Sequence, residues 1–212
     1  MLRSPPTVKI PDRIRVSYGT AIVLGLLTAR QDAAPTTAYL LWDPGCLGSC
    51  SFCSRSSKNK ENDRLARVVW PFFPTSEVLR RLREQPGGLR RICLQTGWNP
   101  EEFDTLLELV RTFKNASQPL CLTLHPAQLD AAETLFRNGV DEIGVGVDAP
   151  SEDTYRRHKN RDWSVDWPAV LRLIERNPGR VEVHLIFGLG DTEQTFIQAM
   201  EEIIIRRGKV AL

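Results

Sequence analysis

Three cysteines fall within one short run, CLGSCSFC: Cys46, Cys50 and Cys53, spaced C-x3-C-x2-C. Three thiolates on one loop can each ligate one iron of a cubane 4Fe-4S cluster and leave the fourth iron without a protein ligand. Such an open iron is where a small molecule can chelate and receive an electron. Zinc is the alternative chemistry for clustered thiolates, but structural zinc takes four closed ligands in paired spacings. No fourth Cys or His lies near this loop, so the run reads as a cluster loop with one open coordination position.

The chain that carries this loop has 212 residues, enough for one large domain with a real core. Its formal charge is +2, its pI is near 8.3 and no basic block stands out, which leaves no footprint for nucleic acid. The longest apolar stretch, around Ala21 to Leu27, falls far short of a membrane span. The start, MLRSPPTVKI, lacks the apolar core of a signal peptide, so a cytoplasmic location is expected. Five cysteines in such a chain point to metal or redox chemistry rather than to a disulfide framework. No internal repeat or low-complexity linker is seen.

From residue 37 short apolar runs alternate with amphipathic stretches. Strands are expected over residues 37–42, 90–95, 119–125, 142–148 and 181–187, and helices over 75–85, 127–138, 166–176 and 192–207. Asn99 reads as an N-cap with Glu101 and Glu102 in the first turn of a helix reaching about Lys114; Phe103, Leu106, Leu107, Val110 and Phe113 share one face of it. Residues 18–29 read as a helix or a strand packed at one end. Alternating strands and helices favour a parallel sheet with helices outside. Strand parity then sorts the side chains. Ile92, Leu94, Leu120, Leu122, Leu124, Ile143, Val145, Val147, Val181, Val183 and Leu185 form one set; Cys93, Gln95, Cys121, Thr123, His125, Gly144, Gly146, Asp148, Glu182 and His184 form the other. If the apolar set meets the helices, the polar set lines an inner face, and a barrel built this way has a partly open, polar interior. The alternative is a flat sheet with one wet face.

The cysteine spacing, with Phe52 at an aromatic position beside the last cysteine, resembles the radical S-adenosylmethionine (SAM) enzymes, and within them biotin synthase, over about residues 40–195. CSFCSRSS resembles that family's cluster loop, RICLQTGWNP (91–100) its second strand and following loop, GVDEIGVGVDAPSEDTY (139–155) its fourth strand, and IFGLGD (186–191) its glycine-rich turn after strand five. The last has Asp191 where the family usually has Glu. The resemblance implies a partial (β/α)6 TIM-type barrel of residues 37–212 as the radical SAM core domain, with residues 1–36 as an N-terminal extension packing on it.

The resemblance also implies roles. Cys46, Cys50 and Cys53 would ligate the 4Fe-4S cluster. Backbone around Thr96, Gly97 and Trp98 would bind the methionine amino group of SAM, Asp148 its ribose hydroxyls, and Gly188 and Gly190 would let backbone pass close to adenine. Cys93 and Cys121 match positions that in biotin synthase hold an auxiliary 2Fe-2S cluster, the sulfur donor. The family's third auxiliary cysteine aligns with Glu182, two residues before His184, so the auxiliary set departs from the family pattern; both cysteines also fit ordinary buried thiols. Asp166 lies near where the family has an arginine for the SAM carboxylate, and Arg157, Lys159 or Arg161 could replace it.

The resemblance implies reductive cleavage of SAM to a 5′-deoxyadenosyl radical for C–H activation, with sulfur insertion of lipoyl or biotin type as the expected reaction. It implies an electron donor such as ferredoxin or flavodoxin. The last residues, GKVAL, read as a helix stop and the start of a sixth strand. From that, a fragment, a truncated gene, or one half of a two-protein system is expected, the last with a second radical SAM subunit and a lipoyl-carrier protein as partners. A non-catalytic iron–sulfur partner subunit is the alternative expectation.

Overall fold

The structure is a computed structural model that describes residues 9–59, 63–65, 67–84 and 86–212. Residues 1–8 of the expected extension, and Gln85 at the end of the expected helix over 75–85, lie outside the described residues. The chain begins with strand β1 (Arg13–Val16) and helix α1 (Tyr18–Val23), followed by β2 (Thr37–Trp42), a two-residue-arm hairpin β3 (Arg64–Leu65) and β4 (Val68–Val69), and β5 (Phe72–Pro74). Strand and helix then alternate: α2 (Thr75–Glu84), β6 (Arg91–Thr96), α3 (Phe103–Lys114), β7 (Leu120–Leu124), α4 (Ala132–Arg137), β8 (Glu142–Asp148), α5 (Glu152–Lys159), α6 (Trp163–Arg176), β9 (Val181–Leu185), α7 (Glu193–Ile205) and β10 (Lys209–Ala211).

Strands β2, β6, β7, β8, β9 and β10 pair as parallel neighbours in sequence order. Each crossover carries a helix, as parallel pairing requires. The two outer strands of this run line one cavity, β2 through Tyr39 and Leu41 and β10 through Ala211. The sheet therefore curls, and the architecture is an open, partial (β/α)6 barrel. Its apolar face is the core: Ile92, Leu94, Leu120, Leu122, Ile143, Val145, Val181 and Val183 are fully buried against the helices. In α3 the buried stripe is Leu106, Leu109, Val110 and Phe113, with Phe103 and Leu107 at its margin.

Several elements differ from the sequence expectation. Arg13–Val16 is a strand of the main sheet, antiparallel to β2 on one side and to β5 on the other. Part of residues 1–36 thus continues the sheet by backbone pairing. Asn99 caps a 3-10 turn, Pro100–Glu102, and α3 follows. Residues 126–131 form a 3-10 segment with Gln128 off the helical conformation at φ −119°, so the helix expected over 127–138 is confined to α4. Helix α5 has no counterpart in the sequence reading; only Thr154, Tyr155 and Lys159 of its residues are buried, too few for an apolar period to show. No described helix is long and apolar enough to cross a membrane.

Candidate functional site

The three cysteines sit on the loop that follows β2, at the C-terminal end of the parallel strands, where barrel sites gather. Backbone donors surround them. Cys46 Sγ accepts from the Gly48 N–H at 3.3 Å and the Trp98 N–H at 3.4 Å, and Cys53 Sγ accepts from the Arg55 N–H at 3.3 Å. The Trp98 contact is eased by Gly97, where a Cβ would lie 3.0 Å from Cys46 Cβ, a tight approach that a side chain would have to push apart. The same loops are zipped by Leu47 N–H to Trp98 O at 2.8 Å and by Asn99 Nδ2 to Pro44 O at 3.2 Å.

A second clamp comes from the end of α5. Ser51 N–H donates to His158 O at 2.9 Å, Ser51 Oγ lies 2.8 Å from His158 Nδ1, and Asn160, in the left-handed conformation at φ 54°, reaches Ser49 Oγ at 3.1 Å. Burial pushes the Cys50 and Cys53 thiols up, since a low-dielectric site disfavours thiolates. Lys159 beside Cys50 and the Arg55 N–H at Cys53 pull in the other direction. Among the described residues no three Cys, His, Asp or Glu side chains converge as ligands of a single ion would. The three thiols instead line one wall of a shared cavity. Backbone N–H donors at the Cys46 and Cys53 sulfurs suit ligating thiolates, and three thiolates on one loop could each meet a different iron of a polynuclear cluster.

That cavity has a volume of about 870 Å³, within the usual range for a cofactor site. Thr96, Gly97, Trp98, Asp148, Phe52, Lys159 and His125 all line it. Asp148 ends β8 at φ 67°, beside a register slip against β9. Its Oδ2 accepts from Lys159 Nζ at 2.7 Å, leaving Oδ1 as a ready acceptor for hydroxyl groups. Gly188 and Gly190 both adopt positive φ but do not line the cavity; Leu185 and Ile186 do. Asp191 also lies off the wall, where its Oδ1 accepts from the Ser151 and Thr154 hydroxyls at 2.5 Å each and fastens the turn after β9 to the start of α5.

Deeper in the barrel, the inward set meets as strand parity requires. Cys93 on β6 and Cys121 on β7 are register partners, with sulfurs 3.6 Å apart. Hydrogen bonding from Cys121 holds Cys93 below the usual thiol range despite burial, helped by Gln95 Nε2 at 3.2 Å, and Cys121 is correspondingly raised. Cys93, Glu182 and His184 line the cavity. His184 Nε2 lies 3.3 Å from Glu182 Oε2; this pair holds Glu182 low, and it keeps His184 high although burial opposes the charged ring. A Cβ on Gly144 would stand 2.8 Å from His184 Nε2, so glycine makes room for the ring. Arg91, beside them, donates to Glu142 at 3.1 Å, and Lys209 pairs with the same carboxylate.

Of the three cations considered for the SAM carboxylate, only Lys159 lines the cavity. Arg161 makes a two-point pair with buried Asp166 at 2.6 and 2.7 Å, and Tyr155 Oη donates to the same carboxylate at 2.6 Å. Arg157 approaches Gly190 instead. One cavity residue carried no role in the sequence reading beyond its parity. His125 stacks on Trp98 with ring centroids 5.2 Å apart, and its Nδ1 accepts the Ala127 N–H at 3.2 Å. Burial and the nearby Lys159 and Arg161 hold its pKa down to about 3; with Nδ1 accepting, Nε2 carries the hydrogen, and that buried atom has no hydrogen-bond partner among the described residues. The signal for it was a histidine directly ending an inward-patterned strand.

The family description "Radical SAM superfamily" matches residues 42–203. Biotin synthase from Chlamydia abortus is 25% identical over 76% of this chain and 49% of its own, and biotin synthase from Agrobacterium fabrum is 29% identical over 74% of this chain and 46% of its own. The chain thus spans about half the length of these curated relatives. Among solved structures, the FeFe-hydrogenase maturase HydG from Carboxydothermus hydrogenoformans superposes with a TM-score of 0.59 at 21% identity, over 80% of this chain and 40% of that one. That likeness is one of fold. With the cysteine loop, the partial barrel and a match running from the end of β2 into α7, the chain belongs to the radical SAM superfamily.

Proposed function

We propose that this chain is a catalytic radical SAM subunit that inserts sulfur at an unactivated carbon of an acyl chain, in the manner of a biotin or lipoyl synthase. Cys46, Cys50 and Cys53 would hold the 4Fe-4S cluster, and Thr96–Trp98 with Asp148 would hold SAM. Bound there, the pair supplies an electron and a 5′-deoxyadenosyl radical for hydrogen abstraction. The chain's own part is to place: the loop after β6 fixes Cys46 and the end of α5 fixes the loop around Ser51. The electron would come from a ferredoxin or flavodoxin. A lipoyl-carrier protein and a second radical SAM subunit are the protein partners this reading implies.

The observation that supports sulfur insertion is the Cys93–Cys121 pair, 3.6 Å apart, of which Cys93 lines the cavity shared with the cysteine loop. Two thiols at this spacing could hold one edge of an auxiliary iron–sulfur centre, with Glu182 and His184 at the other. Anaerobic reconstitution tests it. Iron above four per chain is expected, together with 5′-deoxyadenosine on addition of SAM and reductant. A Cys93→Ser/Cys121→Ser double variant should lose only the excess iron and sulfur transfer while still cleaving SAM. Iron that never exceeds four per chain removes the sulfur-insertion reading, and wild-type protein that binds its cluster yet makes no 5′-deoxyadenosine would be a non-catalytic iron–sulfur subunit.

A further inference from the structure

His158, in the last turn of α5, touches two loops at once. In sequence it lies 107 residues from Ser51 and 31 from Leu189. Its Nε2 is 2.9 Å from Leu189 O, in the turn after β9, and its Nδ1 is 2.8 Å from Ser51 Oγ, in the loop between Cys50 and Cys53. A carbonyl oxygen only accepts, so Nε2 carries a hydrogen; in the neutral ring Nδ1 then accepts from the Ser51 hydroxyl. The Ser51 N–H also donates to His158 O at 2.9 Å, so ring and backbone grip the loop together. At the other end of the helix, Ser151 and Thr154 donate to Asp191 Oδ1. Helix α5 is therefore strapped to the turn after β9 at both ends and to the cysteine loop at one. In that turn Gly188 and Gly190 flank Leu189 at φ 101° and 109°, with no Cβ to restrict the backbone. Its root, Leu185 and Ile186, is cavity wall.

We propose that His158 is a positioning residue that couples the cysteine loop to the turn after β9, so that filling the loop with its cluster orders residues 186–191 and the cavity wall they continue. The inference rests on the assignment of Cys50 and Cys53 as cluster ligands and deepens it. Ser51 lies between those two, so a cluster held by both fixes the Ser51 hydroxyl and N–H. Ser51 in turn fixes the ring, and the ring holds Leu189 O. Neither half of the ring is enough for this. Asparagine places its amide near the Nδ1 position and glutamine near the Nε2 position, so each keeps at most one of the two contacts. A side chain that only filled space beside α5 would loosen loop and turn alike, whether the loop is filled or not.

The test is hydrogen exchange read by mass spectrometry, on iron-free and anaerobically reconstituted protein without SAM. In the wild type, cluster loading should slow exchange in residues 186–191 at least about fivefold, the lower end of coupling between two sites. In His158→Asn and His158→Gln that slowing should be lost, while cluster absorbance is retained and residues 43–59 still respond. Ser51→Ala, which leaves the bond from the ring to Leu189 in place, should show the same loss. Should the His158 variants fail to assemble a cluster, Ser51→Ala decides. Slowing at 186–191 that survives in these variants, or that the wild type never shows, overturns the proposal. Failure of the underlying assignment looks different: the wild-type protein would hold no cluster, exchange in 43–59 itself would not change on reconstitution, and the coupling would fall with it.

Discussion

At the residue scale the site is a contest over a few hydrogen bonds. The sulfurs of Cys46 and Cys53 already receive backbone N–H donors, so the loop is shaped for thiolates before any iron arrives. Asp148 has one oxygen on Lys159 and one left over. Replacing Asp148 with Ala should weaken SAM binding by roughly 1.5–3 kcal/mol, the range for a hydrogen bond to a charged group, or about ten- to a hundredfold in affinity, with cluster absorbance retained. Equilibrium dialysis of the reconstituted variant checks this, and wild-type affinity would remove Asp148 from the SAM site. Spacing made Cys46, Cys50 and Cys53 legible, because ligands on one loop advertise themselves locally. The role of His125 was not, because it depends on Trp98, 27 residues away on another loop.

At the element scale, α5 and α6 hold the cluster loop through a buried knot. Asp166 is held below the ordinary carboxylate range: burial pushes it up, but Arg161 and the Tyr155 hydroxyl more than offset that. A carboxylate with a depressed folded pKa contributes stability above its unfolded value, and the contribution fades as pH falls through the folded value. Asp166→Asn should therefore cost about 2–3 kcal/mol near pH 7. The gap to wild type should close as pH drops below roughly 4. Denaturant unfolding at several pH values measures it, and a pH-independent difference would show that the charge is not what matters. The sequence reading missed α5 because a helix of EDTYRRHK carries almost no apolar stripe. It found α3 because a stripe of Leu and Phe is unmistakable. The helix expected over 127–138 was cut short by a 3-10 segment over 126–131, within which Gln128 leaves the helical conformation.

At the scale of the whole molecule, three separate stretches meet at the cluster loop: the segment after β2, the loop after β6 and the end of α5. Cluster assembly should lock all three. Ligand binding to the folded state alone stabilises it by mass action, and a gain of ~3 kcal/mol would raise Tm by roughly 6–12 °C in a chain of this length. Reconstituted protein should melt higher than the iron-free form. Hydrogen-exchange protection should rise in residues 43–59, 96–99 and 158–160 and stay level in the helices away from them. A uniform rise, or none, would mean that these contacts do not report the cluster.

What the amino-acid sequence determined on its own was periodic or local. Parity along β6, β7, β8 and β9 assigned each side chain to the helix layer or the cavity, because alternate residues of a strand face opposite ways. The buried Val and Ile positions and the inward Cys93, Glu182 and His184 follow that rule. What only the tertiary structure decided was which of those side chains touch. Register put Cys93 opposite Cys121, the slip beside Asp148 turned it toward Lys159, and Gly144 and Gly97 left space for groups brought from other strands and loops. Likewise Arg13–Val16 joined the sheet by backbone pairing with β2 and β5; its alternation, with Ile14 and Val16 buried, spans only four residues, too short to stand out in the sequence.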